Sequence, residues 1–190
     1  MAAFDKLVVS FLVDEVVGGF FVNVPPGHVA CVYDWGRGVL KNVWGSGLHF
    51  KIPFWQTVKL FNAQTLEYTI RKGFNLDQNK EALGDEPINA VTADNKNLVL
   101  EGTLLIKINR ESVVSLWENI GEEFVSKIVR PVSRSRIRSA VSRFSLVDLT
   151  NKRHDIEHQI KQELETEFVH KGLIIEGVLL SQITPQNNPL

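Results

Sequence analysis

The sequence predicts an α+β fold. Three observations carry that reading. Short apolar segments punctuated by Pro and Gly dominate residues 24 to 108, the apolar period lengthens to that of a helix between 111 and 172, and one more strand pattern returns at Leu173 to Ile183. The 190 residues suit one ordinary domain with an appendage, and a 44% apolar share is enough for a core. A formal charge of -1 argues against a global nucleic-acid footprint. Cys31 is the only cysteine, so no internal disulfide forms, and its place in an apolar strand suits an inert buried thiol.

The chain opens with an apolar stretch, Leu7 to Val22, interrupted by Asp14 and Glu15. It falls short of the ~20 apolar residues that span a bilayer comfortably and lacks the basic start and cleavage site of a signal peptide. At helical spacing Lys6, Ser10, Asp14 and Gly18 form one thin polar stripe, while Phe4, Leu7, Val8, Phe11, Leu12, Val16 and Val17 cover the rest. A helix of this kind lies in a membrane interface or dips into it. The competing reading packs it on the protein's own core. Asp14 and Glu15 speak against a clean transmembrane span, because a carboxylate at mid-bilayer is costly. Residues 1–23 are the candidate membrane-associating segment, with Phe20 and Phe21 among its candidate contacts, and on the residues alone both readings stay open.

Pro25-Pro26-Gly27 ends that segment. Val29, Cys31 and Tyr33 on one face and Ala30 and Val32 on the other predict a strand buried on both sides. Gly36, Gly38, Gly45 and Gly47 mark tight turns, and Pro53 closes a strand at Leu48 to Ile52. Val58 to Phe61 and Leu66 to Ile70 follow as strands. The polar stretch 71–87 reads as a long loop. Ile88 to Ala93 and Leu98 to Ile108 form a hairpin, the second strand carrying Leu98, Leu100, Leu104, Ile106 and Ile108 on one face. A short helix around Val113, Val114, Trp117 and Ile120 stops at Gly121, and a second, from Glu122 to about Phe144, is interrupted or kinked at Pro131. In the third, Leu149, Ile156, Ile160, Leu164 and Phe168 make one stripe that ends at Gly172. From Ser181 the chain reads as a fraying end.

These segments carry an ordered series of matches. Val24-Pro25-Pro26-Gly27-His28-Val29-Ala30, then Gly36-Arg37-Gly38-Val39, then Gly45-Ser46-Gly47-Leu48-His49-Phe50-Lys51-Ile52-Pro53-Phe54 resemble the opening of an SPFH domain, the domain of the stomatin, prohibitin, flotillin and HflK/HflC superfamily. Val91 to Gly102, Ile120-Gly121-Glu122, Ile128 to Val132 and Lys171 to Leu180 resemble its later steps, so the likeness covers about residues 22 to 184. Gly27-His28 and Gly47-Leu48-His49-Phe50 lean toward the prohibitin-like branch. The resemblance implies an SPFH domain at 24–184, with residues 185–190 leading toward a heptad-rich coiled-coil helix that the sequence given does not contain. It also implies a membrane-attached scaffold, at a bacterial or organellar inner membrane, that self-associates into large rings or cages, organises a membrane microdomain and restrains membrane proteases. Membrane lipids, further copies of the chain and membrane-protein clients would be its partners, with no nucleic acid and no cofactor.

Residue chemistry is sparse. His154-Asp155-Ile156-Glu157-His158 fits an H-x-x-E-H zinc pattern, but both histidines fall on the polar side of their helix, away from any apolar wall, so a zinc hydrolase is only a remote alternative. No nucleophile elbow or phosphate loop occurs, and no catalytic or metal site is assigned. Lys127, Arg130, Arg134, Arg136, Arg138 and Arg143 form the one dense basic run, without interleaved aromatics. Arg130, Arg134 and Arg138 are spaced to line one helix face, which reads either as solvated or as pairing with acidic groups of a neighbouring subunit, Glu157 and Glu165 being the acidic candidates. Trp35, Trp44 and Trp55 cluster around the first turns and read either as core packing or as lying near lipid or a neighbouring subunit, Trp44 and Trp55 being the membrane-contact candidates. The other reading of the whole is a soluble protein- or lipid-interaction module whose N-terminus packs on its own sheet.

Overall fold

The structure, a computed structural model, describes residues 19–73 and 83–186. Strand β1 (Phe21–Val24) pairs antiparallel with β4 (Gly47–Phe50) as a two-stranded ribbon. Between them β2 (His28–Asp34) pairs with β3 (Gly38–Val39) and with β5 (Gln56–Asn62) in a three-stranded sheet. The remaining strands, β6 (Leu66–Ile70), β7 (Leu83–Asp85), β8 (Ile88–Val91), β9 (Asn97–Ile108) and β10 (Leu173–Pro185), form the main sheet in the order β10-β9-β6-β7, with β8 also on β9. Helices α1 (Val113–Asn119), α2 (Arg130–Val141), α3 (Leu146–Asn151) and α4 (Arg153–Val169) lie between β9 and β10 in the chain. The fold is the expected α+β arrangement.

The core follows the sequence periods. Along β9 burial alternates residue by residue, with Leu98, Leu100, Leu104, Ile106 and Ile108 inside. Ile156, Ile160, Leu164 and Phe168 of α4 are fully buried over that face, together with Leu149 of α3. Val29, Ala30, Cys31 and Val32 of β2 are buried on both faces, and burial pushes the Cys31 thiol up to about 11. Gly102 lets β9 and β10 approach: a Cβ there would stand 2.6 Å from the Leu179 carbonyl oxygen.

Several expectations need correction. Tyr33 is exposed while Asp34 after it is buried, so only one face of β2 stays covered at its end. Of the four turn glycines only Gly38 and Gly47 have positive φ. The strand read at Leu48 to Ile52 ends at Phe50, since the Ile52 N–H takes the Gln56 side chain in place of a strand partner. The loop read at 71–87 contains β7, which runs parallel to β6. Pro131 interrupts the regular α-helix, as expected. Lacking an N–H for the Lys127 carbonyl, it is accommodated by a widened π-helical turn at Val125–Val129, closed by Arg130 N–H to Val125 O, and α2 starts there. The third helix is two, because Lys152 leaves helical geometry (ψ 31°) between α3 and α4. The end expected to fray from Ser181 stays paired with β9 as far as Pro185.

Candidate functional site: an exposed aromatic surface and its supports

Exposed apolar side chains follow one another along the ribbon and the turns beside it. Leu48, Phe50 and Ile52 occupy alternate positions and are all exposed, as are Phe21, Trp35, Phe54 and Trp55. Phe50 stacks on Phe20 at 5.6 Å between ring centroids and meets Phe21 edge-on at 5.9 Å. The Lys51 N–H donates to the Phe20 carbonyl, so the apolar N-terminal segment enters the described fold directly at this surface. Phe54 is 83% exposed and has φ 61°, a left-handed conformation that costs a bulky residue about 1–2 kcal/mol. The Pro53-Phe54-Trp55 turn thus holds a large apolar ring in water at some expense, which points to use outside the isolated fold.

Asp34 is what fixes these turns. It is buried at the end of β2 and accepts from the Gly36 and Arg37 backbone N–H groups, from Arg37 Nη2 at 2.8 Å and from Gln56 Nε2 at 3.0 Å. Arg37 and then Gln56 hold its carboxyl far below the usual carboxylate range. Gln56 turns its oxygen to the Ile52 N–H at 3.0 Å. The turn bearing Trp35 and the turn bearing Phe54 and Trp55 are therefore tied through one carboxylate and one amide. Trp35 and Trp55 lie 6.2 Å apart, and among the described residues neither indole N–H has a hydrogen-bond partner. Exposed indole and phenyl rings next to a cationic Arg37 have the composition of a membrane–water interface.

The predicted contact residues divide. Phe20, Phe21 and Trp55 belong to this surface. Trp44 does not: it is half-buried, its backbone exchanges hydrogen bonds with Ala30, and its ring stacks on His49, which faces away from Leu48 and Phe50. Phe4, Leu7, Val8, Phe11, Leu12, Val16 and Val17 lie outside the described residues. Leu48, Phe50, Ile52 and Phe54 were missed. Their period of two was visible, but alternation alone does not say which face of a strand looks inward.

The basic run has partners within the chain. Arg130 donates to both oxygens of Asp85, from Nε at 2.8 Å and Nη2 at 2.6 Å, and Arg134 Nη1 reaches Oδ2 at 2.8 Å. Arg134 also donates to the Glu86 and Pro87 carbonyls, and Arg138 to that of Asn89. The i, i+4, i+8 stripe thus clamps the segment 85–89 along α2. Burial alone would raise the Asp85 carboxyl, but Arg130 and the Glu86 N–H, with the charge of Arg134, hold it below its ordinary value. Burial, and then the Asp85 charge, push Tyr68 beside it well above the usual phenol range. Arg136 pairs with Glu167 and Arg143 with Glu163, both on α4. Glu165 is exposed on α4, whereas the Glu157 carboxylate accepts the Leu180 N–H at 2.7 Å and meets Arg153 at 3.3 Å. His154 and His158 both face solvent, and the described residues hold no group of three His, Cys, Asp or Glu placed to bind a metal.

A further carboxylate locks the β8–β9 turn onto the helices. Asp94 accepts the Leu146 N–H, while the Ala93 N–H donates to Phe144 O. Hydrogen bonds from Thr92 and Lys96 lower its carboxyl from 3.8 to about 2. A folded-state value below the unfolded one means that this contribution is complete above the unfolded value and is lost as pH falls toward about 2. Urea unfolding of an Asp94→Asn variant should therefore show a shallower loss of stability between pH 5 and pH 2 than the parent chain; parallel curves would rule out the assignment.

Comparison with known proteins bears on this geometry. The model of the SPFH domain / Band 7 family matches residues 22–188. Prohibitin 1 of Gallus gallus is 25% identical over 169 residues, covering 89% of this chain and 56% of that protein. Prohibitin 1 of Mus musculus is 24% identical over the same length, and Prohibitin-1 of Saccharomyces cerevisiae is 22% identical over 165 residues, 85% of this chain and 51% of its own. The chain spans about half the length of the curated relatives it matches.

Proposed function

The chain belongs to the SPFH domain / Band 7 family, and from that premise we propose that it is a membrane-attached scaffold, prohibitin-like, that self-associates into large ring or cage complexes. Such complexes organise a membrane microdomain and restrain membrane proteases held within it. The observation that carries the reading is the exposed run of Phe21, Leu48, Phe50, Ile52, Phe54 and Trp55, entered directly by the apolar N-terminal segment. Among the described residues no helix is long and apolar enough to cross a membrane. In this reading attachment uses residues 1–23 together with this surface, which lies against the bilayer interface. The mechanism is assembly: weak lateral contacts between identical domains add through multivalency once each subunit is fixed to the same bilayer. Lipid, further copies of the chain and membrane-protein clients are its partners.

Flotation with liposomes separates this reading from a module that works in solution. The full chain should float with the vesicles, and a chain lacking residues 1–18 should float weakly, retaining only the contribution of the aromatic surface. Extraction in mild detergent should yield particles many times the 21.5 kDa of one chain. A full chain that stays at the bottom of the gradient would remove membrane attachment, and a strictly monomeric extract would remove the scaffold.

A further inference from the structure

Strand β10 is the longest described strand, with 13 residues, and it has a strand neighbour on one side alone, β9. A long edge of this kind offers unpaired backbone groups to any second strand, and the same edge on another copy of the chain is the most available one. The Leu180 N–H does not go to a strand at all. It donates to Glu157 Oε1 at 2.7 Å, from a side chain on α4. The same oxygen receives Arg153 Nε at 3.3 Å, which steadies the carboxylate one helical turn from its own backbone. Register shifts at Glu176 and Ser181 bracket Leu180 and bend the strand on either side.

We propose that Glu157 is a guard on the β10 edge, holding the outward N–H of Leu180 so that a second copy of the chain does not pair along this strand. The carboxylate occupies the hydrogen-bonding position an incoming carbonyl would need. Lateral assembly is thereby steered to other surfaces of the domain. In this role a residue that the sequence offers as a contact between subunits keeps one contact from forming.

The chain's lone cysteine is buried, so a Gln182→Cys substitution on the exposed part of β10 gives a specific reporter for a thiol cross-linker. In the full chain in detergent, adding Glu157→Ala should raise the yield of dimers linked through position 182 about tenfold, the scale expected for losing a hydrogen bond to a charged acceptor. Glu157→Gln keeps an acceptor oxygen and should stay near the parent yield. Glu157→Asp keeps the charge but withdraws the carboxylate, and should fall between; it decides the matter if the alanine variant does not fold. The proposal is overturned if a folded Glu157→Ala or Glu157→Asp chain cross-links no more than the parent. It is equally overturned if the rise is as large with the reporter moved to Ser142, on the turn after α2, since that would mark general adhesion.

Discussion

Replacing Asp85 with alanine is expected to lower the stability of the folded chain by about 3 kcal/mol, the lower end for breaking a buried ion pair. The lower end applies because Arg130 stays 53% exposed and re-enters water easily. Arg134 is the costly partner: only 23% exposed, it would keep the carbonyls of Glu86 and Pro87 but lose its counter-charge. For a domain of this size the change amounts to a fall of roughly 6–12 °C in Tm. Asp85→Asn, which keeps an acceptor for Arg130, should lose less. Arg136→Ala at the half-exposed pair with Glu167 should lose about 1 kcal/mol or less. Equal effects at the two sites in thermal unfolding would show that the Asp85 clamp contributes no more than a surface pair.

The second large effect concerns the membrane. The double substitution Phe50→Ser, Phe54→Ser should weaken vesicle binding by about two orders of magnitude or more, since fully withdrawing a Phe ring from water is worth about 1.5–3 kcal/mol. Phe54 is 83% exposed, and Phe50, itself exposed, meets the half-buried ring of Phe20 and the exposed ring of Phe21, so Tm should change little. Liposome partitioning measured alongside thermal unfolding separates the two quantities. Unchanged partitioning with unchanged Tm would show that these rings do not meet lipid.

What could be read from the sequence depended on whether a pattern had one interpretation. The stripe Ile156, Ile160, Leu164, Phe168 repeats at the helical period and had only the core to face; the alternation along β9 was equally unambiguous. In Leu48, Phe50 and Ile52 the same alternation points outward, and all three stay exposed even with Phe20 and Phe21 against Phe50. Asp85 was hidden in a polar stretch that looks like a loop, and its worth comes from Arg130 and Arg134, 45 and 49 residues away along the chain. The arginine stripe was legible as a stripe. Its partners were not, since backbone carbonyls leave no mark in a sequence.

The two-stranded ribbon of β1 and β4 has a mechanical consequence. Its four register pairs join neither the three-stranded sheet nor the main sheet. A force arriving through the chain at Gly19 is therefore borne first in shear by one short ladder, and it reaches the core through buried Val24, the Pro25-Pro26-Gly27 turn and the ends of β4. An isolated ribbon twists easily, because turning it strips no hydrogen bonds from a third strand. A domain tethered through such a ribbon, as proposed above, would lean with the curvature of the surface beneath while its core kept its shape.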